Sequence, residues 1–333
     1  MNNVDKQHKD LIMKILKSGH QKNKERTGVG TKSIFGVQMK FKMKEGFPLL
    51  TLRKIHTKSV VHEMLWFLSA YDQKYHKFGN TNIRYLLDNG VTFWSDWPLK
   101  NYNDHNSEQL EQKEFEKRIM ENDDFALQWG DLGHIYGHQW LNSNGVNQID
   151  KVIDQLKNDP DSRRMLVSSW NVAELPYMML PPCHMLFQFY SHTMNDETRF
   201  YEFSKWKTKY NIPMKDSMDQ HNFPTRRLSL QLYQRSCDYF LGSPYNIAQY
   251  SLLLHMVGQI VNMVPYELIW VGGDVHLYNN HIDAANKLLE RSGYDLPTLT
   301  LNRDIKSIYD FRYNDIQINN YRAHNNIKVD VAV

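Results

Sequence analysis

Segments with the periodicity of helices and segments of strand length follow one another irregularly along this chain. Strand-like apolar runs occur at residues 165–170, 185–190, 228–233 and 267–271. Helical patterns occur near the start (Leu11, Ile12, Ile15, Leu16) and at residues 60–68, 149–156 and 247–261. Regular alternation would indicate a parallel sheet, whereas irregular alternation favours a mixed sheet packed against helices. We therefore expect an α+β fold.

The domain organisation predicted from the sequence is simple. The 333 residues show neither an internal repeat nor a linker between two halves, which predicts a single domain over residues 1–333. Three polar or charged stretches, near residues 71–78, 100–129 and 191–225, have the composition of insertions. The last one separates two strand-like runs and is long for a hairpin loop, so we interpret it as a surface excursion.

Charge and hydropathy argue against several classes of protein. The net charge is +3 at pH 7 and the basic residues are scattered, which does not indicate a nucleic-acid surface and makes DNA an unexpected partner. No apolar run is long enough to cross a bilayer, and the N-terminus lacks the apolar core of a signal peptide. We therefore expect a cytoplasmic protein with no membrane partner, in which the two cysteines stay reduced.

Cys183 is the first candidate for chemistry. It follows two prolines and precedes the alternating segment 185–190, so its thiol lies at the mouth of a strand, where it can be exposed and held rigidly. The alternative is a small buried hydrophobic residue, which is the usual role of a free cysteine. The adjacent His184 is poorly placed as a base, because neighbours on a strand face opposite sides. No spacing resembles a zinc or iron–sulfur set, so no metal is expected.

Arginines in unusual settings form the second set of candidates. They are Arg26 in a glycine loop, Arg163 and Arg164 after the helix at 149–156, and Arg235 at the end of a strand, next to Ser236. Each alone is more often a solvated surface residue. Together they would suit a phosphate dianion, because guanidinium groups donate bidentately and stay charged.

Three further polar residues could recognise the rest of a nucleotide. The amide of Asn246 offers one donor and one acceptor, which complements a pyrimidine edge such as that of uracil, although asparagine beside proline is also common in turns. His276 and Tyr278 follow a strand and alternate, so they point to the same face and could bind a sugar hydroxyl together.

Short runs in a fixed order carry a resemblance to a known family. The runs are RTGVGT (26–31), FPLLT (47–51), HEMLWFL (62–68), YGHQW (136–140), NDPDSRR (158–164), PCH (182–184), QLYQRSCD (231–238), FLG (240–242), GGDVHLY (272–278) and VAV (331–333), with Trp94 and Trp97. In these runs the chain resembles thymidylate synthase over nearly its whole length, apart from the three insertions. The resemblance implies that family's large twisted mixed sheet, with one sheet face forming a homodimer interface.

The resemblance also implies a reaction, the reductive methylation of dUMP to dTMP. The carbon donor and reductant would be 5,10-methylenetetrahydrofolate, which becomes dihydrofolate. Cys183 would be the nucleophile that adds to C6 of the uracil, and Arg235 would favour its thiolate by opposite charge. Cys237 matches a family position that is not the nucleophile.

Roles for individual residues follow from the same resemblance. The implied catalytic residues are Cys183, Glu63, Tyr136, Arg235, Asp238 and Asn246, with Glu63 and Tyr136 organising waters and proton removal from C5. The implied nucleotide-binding residues are Arg26, Arg163, Arg164, Arg235, Ser236, Asn246, His276 and Tyr278. Arg163 and Arg164 would reach into the partner subunit's site. The implied folate-binding residues are His56, Trp94, Leu180, Asp238, Gly242, Tyr245, Ala332 and Val333, with Arg53 and Lys54 as candidates for the glutamate tail.

Three departures and two alternatives accompany this interpretation. Ser95, His134 and Tyr245 differ from the residues common in the family and border the cofactor side. A dUMP hydroxymethylase would use the same folate and nucleophile, but water would quench the intermediate; intact Trp94 and the closing tail favour the synthase. A non-catalytic RNA-binding protein with this fold is the alternative from another class, and no basic stripe with interleaved aromatic residues indicates it.

Overall fold

The computed structural model describes residues 1–23, 28–69 and 74–330. Its α-helices are α1 Asn3–Ser18, α2 Thr57–Phe67, α3 Arg84–Asp88, α4 Asp96–His105, α5 Gln112–Glu121, α6 Asp123–Trp129, α7 Tyr136–Asn142, α8 Gln148–Asn158, α9 Asp196–Tyr210, α10 Gly242–Ile260 and α11 Ile282–Leu289. Its strands are β1 His20–Lys22, β2 Thr31–Lys42, β3 Leu166–Ser168, β4 His184–Thr193, β5 Arg226–Asp238, β6 Val264–Tyr278, β7 Thr298–Leu301 and β8 Ile316–Asn319.

A six-stranded sheet in the order β1-β2-β6-β5-β4-β3 organises the molecule. β5 and β6 run parallel, and the other neighbouring pairs of this sheet are antiparallel. A parallel pair needs a crossover connection, and α10 supplies it between β5 and β6. β7 and β8 form a separate antiparallel pair. The predicted mixed sheet and α+β class are confirmed.

The core lies on the face of the sheet that packs against α10. This helix is apolar on nearly all sides, and most of its 19 residues are buried. It contacts β5, β6 and α2. The strand side chains that point toward it alternate along each strand, as in Phe187 and Phe189 of β4 and Leu230 and Leu232 of β5, and all four are at most 2% exposed.

The opposite face of the sheet is partly open to solvent. On β4, Tyr190 is 64% exposed, and on β3, Leu166 is 40% exposed. Leu166 pairs with Gln188, and Gln188 pairs with Gln231 of β5, so these side chains lie in one row across this face. We call the surface formed by β3, β4 and β5 on this side the outer sheet face. Its apolar side chains have no covering layer within the described chain.

The helices and strands predicted from the sequence are present. The helical patterns correspond to α1, α2, α8 and α10, and the strand-like runs correspond to β3, β4, β5 and β6. One prediction about position was wrong: His276 and Tyr278 lie inside β6 rather than after it. None of the described helices is both long enough and apolar enough to span a membrane.

The described parts of the three polar stretches contain regular structure. Residues 100–129 include α5 and α6, and Phe115 and Ile119 of α5 are fully buried. Residues 191–225 include α9, which lies between β4 and β5 along the chain. Of the first stretch, residues 71–73 lie outside the described residues, and a 3-10 turn follows at His76–Phe78.

Candidate active site

One end of the sheet collects many of the residues singled out from the sequence. β4 begins directly after Cys183, and β5 and β6 end at Asp238 and Tyr278. Because β4 runs antiparallel to β5 and β5 runs parallel to β6, the start of β4 lies beside the ends of the other two strands. Asp238 pairs with His276 in this register. The fold therefore places the thiol, the end of β5 and the His276–Tyr278 pair at the same end.

Arg235 holds the turn that presents Cys183. Its Nε donates to the carbonyl oxygen of Pro182 at 3.0 Å, and its Nη2 donates to that of Pro181 at 2.7 Å. Its backbone N–H donates to the carbonyl oxygen of Cys183 at 2.8 Å. The guanidinium also lies 5.6 Å from the ring centroid of Trp170. One residue therefore fixes three successive carbonyl groups and, with them, the position of the thiol.

Tyr136 also makes a hydrogen bond to this turn. The backbone N–H of Cys183 donates to the Tyr136 hydroxyl oxygen at 2.9 Å. Tyr136 begins α7 and is 2% exposed. Burial raises the pKa of its phenol well above the usual range, so the hydroxyl stays protonated. Cys183 itself is half-buried, which leaves its thiol within reach of a ligand.

The second cysteine lies in a different environment. Cys237 is fully buried, and its Sγ donates to the carbonyl oxygen of Gln234 at 3.4 Å. Burial raises the pKa of this thiol well above its usual range. The fold therefore keeps Cys237 as a neutral thiol away from solvent.

His184 points away from the thiol side of β4, as the alternation of a strand requires. It is 6% exposed, and its ring centroid lies 5.1 Å from that of Tyr136. Burial lowers its pKa to about 4. A neutral, weakly basic imidazole on the buried side of the strand does not activate Cys183.

Glu63 is a buried carboxyl group on α2. Its Oε1 accepts a hydrogen bond from Nε1 of Trp94 at 2.7 Å. Burial raises its pKa to about 7, and the polar groups of Trp94 and Gln249 offset part of that effect. The ring of Trp94 lies 6.0 Å from that of Tyr136, so the carboxyl group belongs to the same cluster as the thiol turn. A carboxyl group that titrates near neutrality can accept and return a proton.

A chain of amides fixes the orientation of Asn246. This residue lies in the first turns of α10 and is 9% exposed. Its Oδ1 accepts from Nε2 of Gln234 at 3.0 Å, and Oε1 of Gln234 accepts from Nε1 of Trp270 at 2.9 Å. With its oxygen turned to Gln234, Asn246 directs its NH₂ group to the other side of the amide.

Gln234 is not among the residues singled out from the sequence, although its position in the strand offers a signal. Gln234 follows Leu230 and Leu232 at every second position of β5, so its side chain points into the core as theirs do. A polar side chain at a core position of a strand needs a hydrogen-bond partner, and such a residue is a candidate for orienting another.

His276 and Tyr278 form the pair expected from their alternation. Their ring centroids lie 5.1 Å apart in an edge-to-face arrangement. Nδ1 of His276 lies 3.3 Å from both the backbone oxygen and Oδ1 of Asp274. Ser236 of β5 pairs with Asp274 in the register, so it lies one strand from this pair.

Of the other arginines expected at a phosphate, Arg163 and Arg164 are not part of this cluster. Arg26 lies outside the described residues. Arg163 and Arg164 are exposed between α8 and β3, and within the described chain their guanidinium groups make no hydrogen bond. They flank the outer sheet face, because the backbone oxygen of Arg163 accepts from Nε2 of Gln188 at 3.2 Å.

The residues expected at a folate lie around the start of α10. The carboxylate of Asp238 accepts from the backbone N–H groups of Phe240 at 3.1 Å and Leu241 at 3.0 Å, which shapes the turn before Gly242. The Tyr245 hydroxyl accepts from the backbone N–H of His56 at 3.3 Å.

The remaining folate candidates differ in accessibility. Leu180 is partly buried and packs on the core. The side chain of His56 is exposed, and Nδ1 lies 2.7 Å from Oγ of Ser59. Arg53 is 1% exposed and donates to the carbonyl oxygens of residues 240 and 241, so it braces the turn and does not face solvent. Ala332 and Val333 lie outside the described residues.

Comparisons with known proteins agree on one family. The family model described as "Thymidylate synthase" matches residues 6–333. The thymidylate synthase of Aster yellows witches'-broom phytoplasma is 43% identical over 325 residues, which cover 97% of this chain and 98% of that protein. That of Malacoplasma penetrans is 41% identical over 331 residues, covering 98% and 100%. That of Mycoplasma mobile is 42% identical over 330 residues, covering 98% and 99%.

Proposed function

Because the chain belongs to the thymidylate synthase family, we propose that Cys183 is the nucleophile that adds to C6 of dUMP. The family and the full-length relatives give this chain the activity of a thymidylate synthase, a methyltransferase that forms dTMP. They do not favour a hydroxymethylase. The residue roles that follow are inferred from the geometry of the site.

The observation that carries the proposal is the set of hydrogen bonds by which Arg235 holds the turn at residues 181–183. Three hydrogen bonds to successive carbonyl groups hold the turn, and the half-buried thiol projects from it. A nucleophile needs a fixed position against the reacting carbon, and this turn supplies it. Cys237 has no such access.

The addition step creates charge that the site can stabilise. When the Cys183 sulfur bonds to C6, the electron pair of the C5–C6 double bond moves toward C5 and the oxygen at C4. The NH₂ group of Asn246, oriented by Gln234, is the donor that we assign to that oxygen. Preorganisation costs nothing during the reaction, because Gln234 and Trp270 already hold the amide in place.

Glu63 is the group that we assign to proton movement. The proton on C5 must leave after the new carbon–carbon bond forms, and its acceptor must bind it only temporarily. A carboxyl group with a pKa of about 7 does this better than an exposed glutamate, whose proton affinity is too low. The protonated hydroxyl of Tyr136 lies in the same cluster and can order an intervening water.

The co-substrate that we propose is 5,10-methylenetetrahydrofolate. When bound, it supplies the one-carbon unit and the hydride, and leaves as dihydrofolate. Trp94, Leu180 and Tyr245 would provide apolar walls for its rings, and Asp238 and Gly242 would border it. These residues fit a flat heteroaromatic group, because the wall residues border the core and the carboxylate of Asp238 is only partly buried. His56, Ala332 and Val333 are assigned by family resemblance alone.

The nucleotide phosphate and sugar would be bound at the ends of β5 and β6. Arg235 and Ser236 are assigned to the phosphate, and His276 with Tyr278 to the sugar hydroxyl. Arg26 is assigned to the phosphate by resemblance. In the described part of the chain no group accepts a hydrogen bond from Nη1 of Arg235, so that nitrogen is available to a phosphate oxygen.

We infer a homodimer that completes this phosphate site. The outer sheet face exposes apolar side chains, including Tyr190 and Leu166, and a second copy of the chain would cover them. Arg163 and Arg164 flank that face with guanidinium groups unused in their own chain. Docking two outer sheet faces would carry these arginines toward the partner's phosphate site.

We also propose a cytoplasmic location. The mechanism needs Cys183 as a reduced thiol, and neither cysteine forms a disulfide within the described chain. A reducing compartment keeps a thiol in that state.

Incubation with dUMP and methylenetetrahydrofolate tests the reaction. We expect dTMP together with one equivalent of dihydrofolate, followed by its ultraviolet absorbance. Hydroxymethyl-dUMP without dihydrofolate would contradict the synthase activity. A Cys183→Ser sample run in parallel tests the nucleophile separately, because turnover by that variant would overturn the residue assignment and leave the reaction intact.

A further inference from the structure

A cluster outside the proposed catalytic residues brings two imidazoles and a carboxylate together. His134 precedes α7, His138 lies one turn later on that helix, and Glu174 lies 36 residues farther along the chain. One ligand atom from each of the three lies within 4.8 Å of the others. The two imidazole rings are parallel, with centroids 4.0 Å apart and an interplanar angle of 3°. In the sequence only the i, i+4 spacing of the two histidines is visible, because the third member of the cluster is distant along the chain.

The separations are close to those of a metal site. A tetrahedral ion with ligand bonds near 2.0–2.1 Å holds its ligand atoms about 3.3 Å apart. Nδ1 of His134 lies 3.4 Å from Oε2 of Glu174, and Nε2 of His138 lies 3.9 Å from the same oxygen. The two imidazole nitrogens lie within 4.8 Å of each other, and the more exposed ring, that of His134, must turn out of the stacked arrangement for both lone pairs to point at one ion.

Two features favour ligand binding by this cluster: one imidazole nitrogen lacks a hydrogen bond within the described chain, and the carboxylate is held in a fixed orientation. Nδ1 of His134 is shielded from solvent and makes no hydrogen bond of normal geometry to any described residue. Oε2 of Glu174, the oxygen that faces both imidazoles, accepts a hydrogen bond from Nε2 of Gln139, which orients the carboxylate. Metal-binding carboxylates are typically held in this way by a neighbouring donor.

The cluster is accessible from solvent. The side chain of His134 is 40% exposed, that of His138 is 23% exposed, and that of Glu174 is 18% exposed. An ion can therefore enter, and the open side would leave its fourth position to water.

We propose that His134, His138 and Glu174 bind one divalent transition-metal ion of the zinc class. Two imidazoles and one carboxylate suit Zn²⁺, Co²⁺ or Ni²⁺ better than Mg²⁺ or Ca²⁺, which prefer oxygen ligands. The site is independent of the assignments made around Cys183.

The ion would join two segments that both lead to the thiol turn. α7 begins at Tyr136, which accepts the hydrogen bond from Cys183, and the chain after Glu174 runs on to Pro181. A bridge between Gly133 and Met178 already links these segments. A bound ion would add a second link, so binding is expected to raise the melting temperature without being needed for turnover.

Titration of the untagged protein with Co²⁺ tests the proposal. The background is Cys183→Ser, so that the reactive thiol cannot contribute a ligand. We expect the visible absorption bands of a four-coordinate site, saturating at one equivalent per chain and reversed by Zn²⁺. His134→Gln, His138→Gln and Glu174→Gln should each weaken binding at least about tenfold, since even an outer contact is worth that much.

His221→Gln is the matched control. His221 also pairs with a carboxylate, because its Nε2 lies 2.9 Å from Oδ2 of Asp216, and this pair is not part of a three-ligand group in the described chain. The control should bind Co²⁺ as the background protein does. Absence of the bands from the background protein, or an equal loss in all four variants, would show that the cluster is only a histidine–glutamate ion pair. Melting curves without metal establish that each variant is folded, and the three separate variants keep the test decisive if one is not.

Discussion

At the scale of single residues, the two cysteines have the same functional group in opposite surroundings. Cys183 projects from a turn held by Arg235, whereas Cys237 is fully buried with a raised pKa. From its position before a strand, the sequence left Cys183 open as a reactive or a buried thiol, and the role of nucleophile followed only from the family resemblance. The sequence could not predict how the turn is held, because Arg235 lies more than fifty residues away along the chain.

Replacement of the two thiols should therefore have unequal effects. Cys183→Ser is expected to lower kcat about 1,000-fold or more, as loss of a nucleophile does in other enzymes. Cys237→Ser should retain most of the turnover, since a hydroxyl can donate to Gln234 as the thiol does. Dihydrofolate formation measures both. Iodoacetamide should label only Cys183 in the native protein, and equal losses in the two variants would contradict the assignment.

Glu63 gives a prediction about stability as well as rate. Its pKa in the folded protein is about 7, above the ordinary 4.5, so the folded chain holds a proton that the unfolded chain releases between these values. The loss of folding stability that comes from ionising the buried Glu63 is therefore absent below pH 4.5 and complete above about pH 7.

Glu63→Gln should remove that loss and keep the hydrogen bond from Trp94. At pH 8 the free energy of unfolding should rise by roughly 3 kcal/mol at most, and at pH 4.5 it should change little. kcat should fall about 100-fold or more, because general acid–base catalysis is lost. Urea unfolding at the two pH values measures the first effect. The exposed Glu121→Gln serves as control, and an equal gain at both pH values would be inconsistent with a buried, titrating Glu63.

At the scale of elements, the sequence predicted the helices and strands in which apolar residues recur with the period of the element. α8 and α10 are examples, because their burial follows from their own sequence. β2 was not predicted, although Met39 and Phe41 alternate with lysines along its second half. Its strand conformation depends on pairing with β6, more than 200 residues away, which local sequence does not reveal.

The prediction that His276 and Tyr278 follow a strand was wrong for a local reason. Gly272 and Gly273 resemble a strand end, but both lie in the middle of β6. A Cβ on Gly272 would lie 2.5 Å from the ring of Trp270, and one on Gly273 would lie 2.8 Å from the backbone oxygen of Arg235. These glycines permit close packing within a strand, which the sequence alone does not distinguish from a break.

The predicted insertion at residues 191–225, which contains α9, should be separable from catalysis. Phe203 is 2% exposed, and its ring centroid lies 5.1 Å from that of Phe223. The insertion leaves β4 after Thr193 and returns at Arg226, the end of these strands opposite Cys183.

Phe203→Ala should therefore loosen the insertion by about 3 kcal/mol while leaving kcat within about twofold of the parent value. Limited proteolysis should show faster cleavage within residues 194–225. Phe189→Ala, which empties the main core instead, should lower the melting temperature of the whole protein. A large loss of turnover in Phe203→Ala would mean that the insertion reaches the active site.

At the scale of the whole molecule, the described chain leaves the guanidinium groups of Arg163 and Arg164 without a hydrogen bond and the outer sheet face without a covering layer. The single sequence could assign Arg163 and Arg164 to a partner only through family resemblance, because no property of one chain encodes what lies across an interface. Their exposure beside the outer sheet face is the structural support for that assignment.

Mixed dimers test shared sites directly. Cys183→Ser and the double variant Arg163→Glu/Arg164→Glu should each be nearly inactive. Random exchange of subunits makes half of the dimers mixed, each with one intact site, so about one quarter of the parent activity should return. Cys183→Ser mixed with Glu63→Gln is the control, because both residues come from the same chain and every site stays defective. No recovery in the first mixture would refute a shared site.

The register of β2 with β6 has a consequence for how the protein is made. Thr31 pairs with Tyr278, so the two ends of this contact are 247 residues apart along the chain. The chain must therefore be made at least as far as residue 278 before β2 and β4 to β6 can stand side by side. Only then can Cys183, which precedes β4, lie at the same end of the sheet as His276 and Tyr278 of β6. A growing chain on the ribosome therefore has no active site until almost all of it has emerged, and the first turnover reports a completed fold.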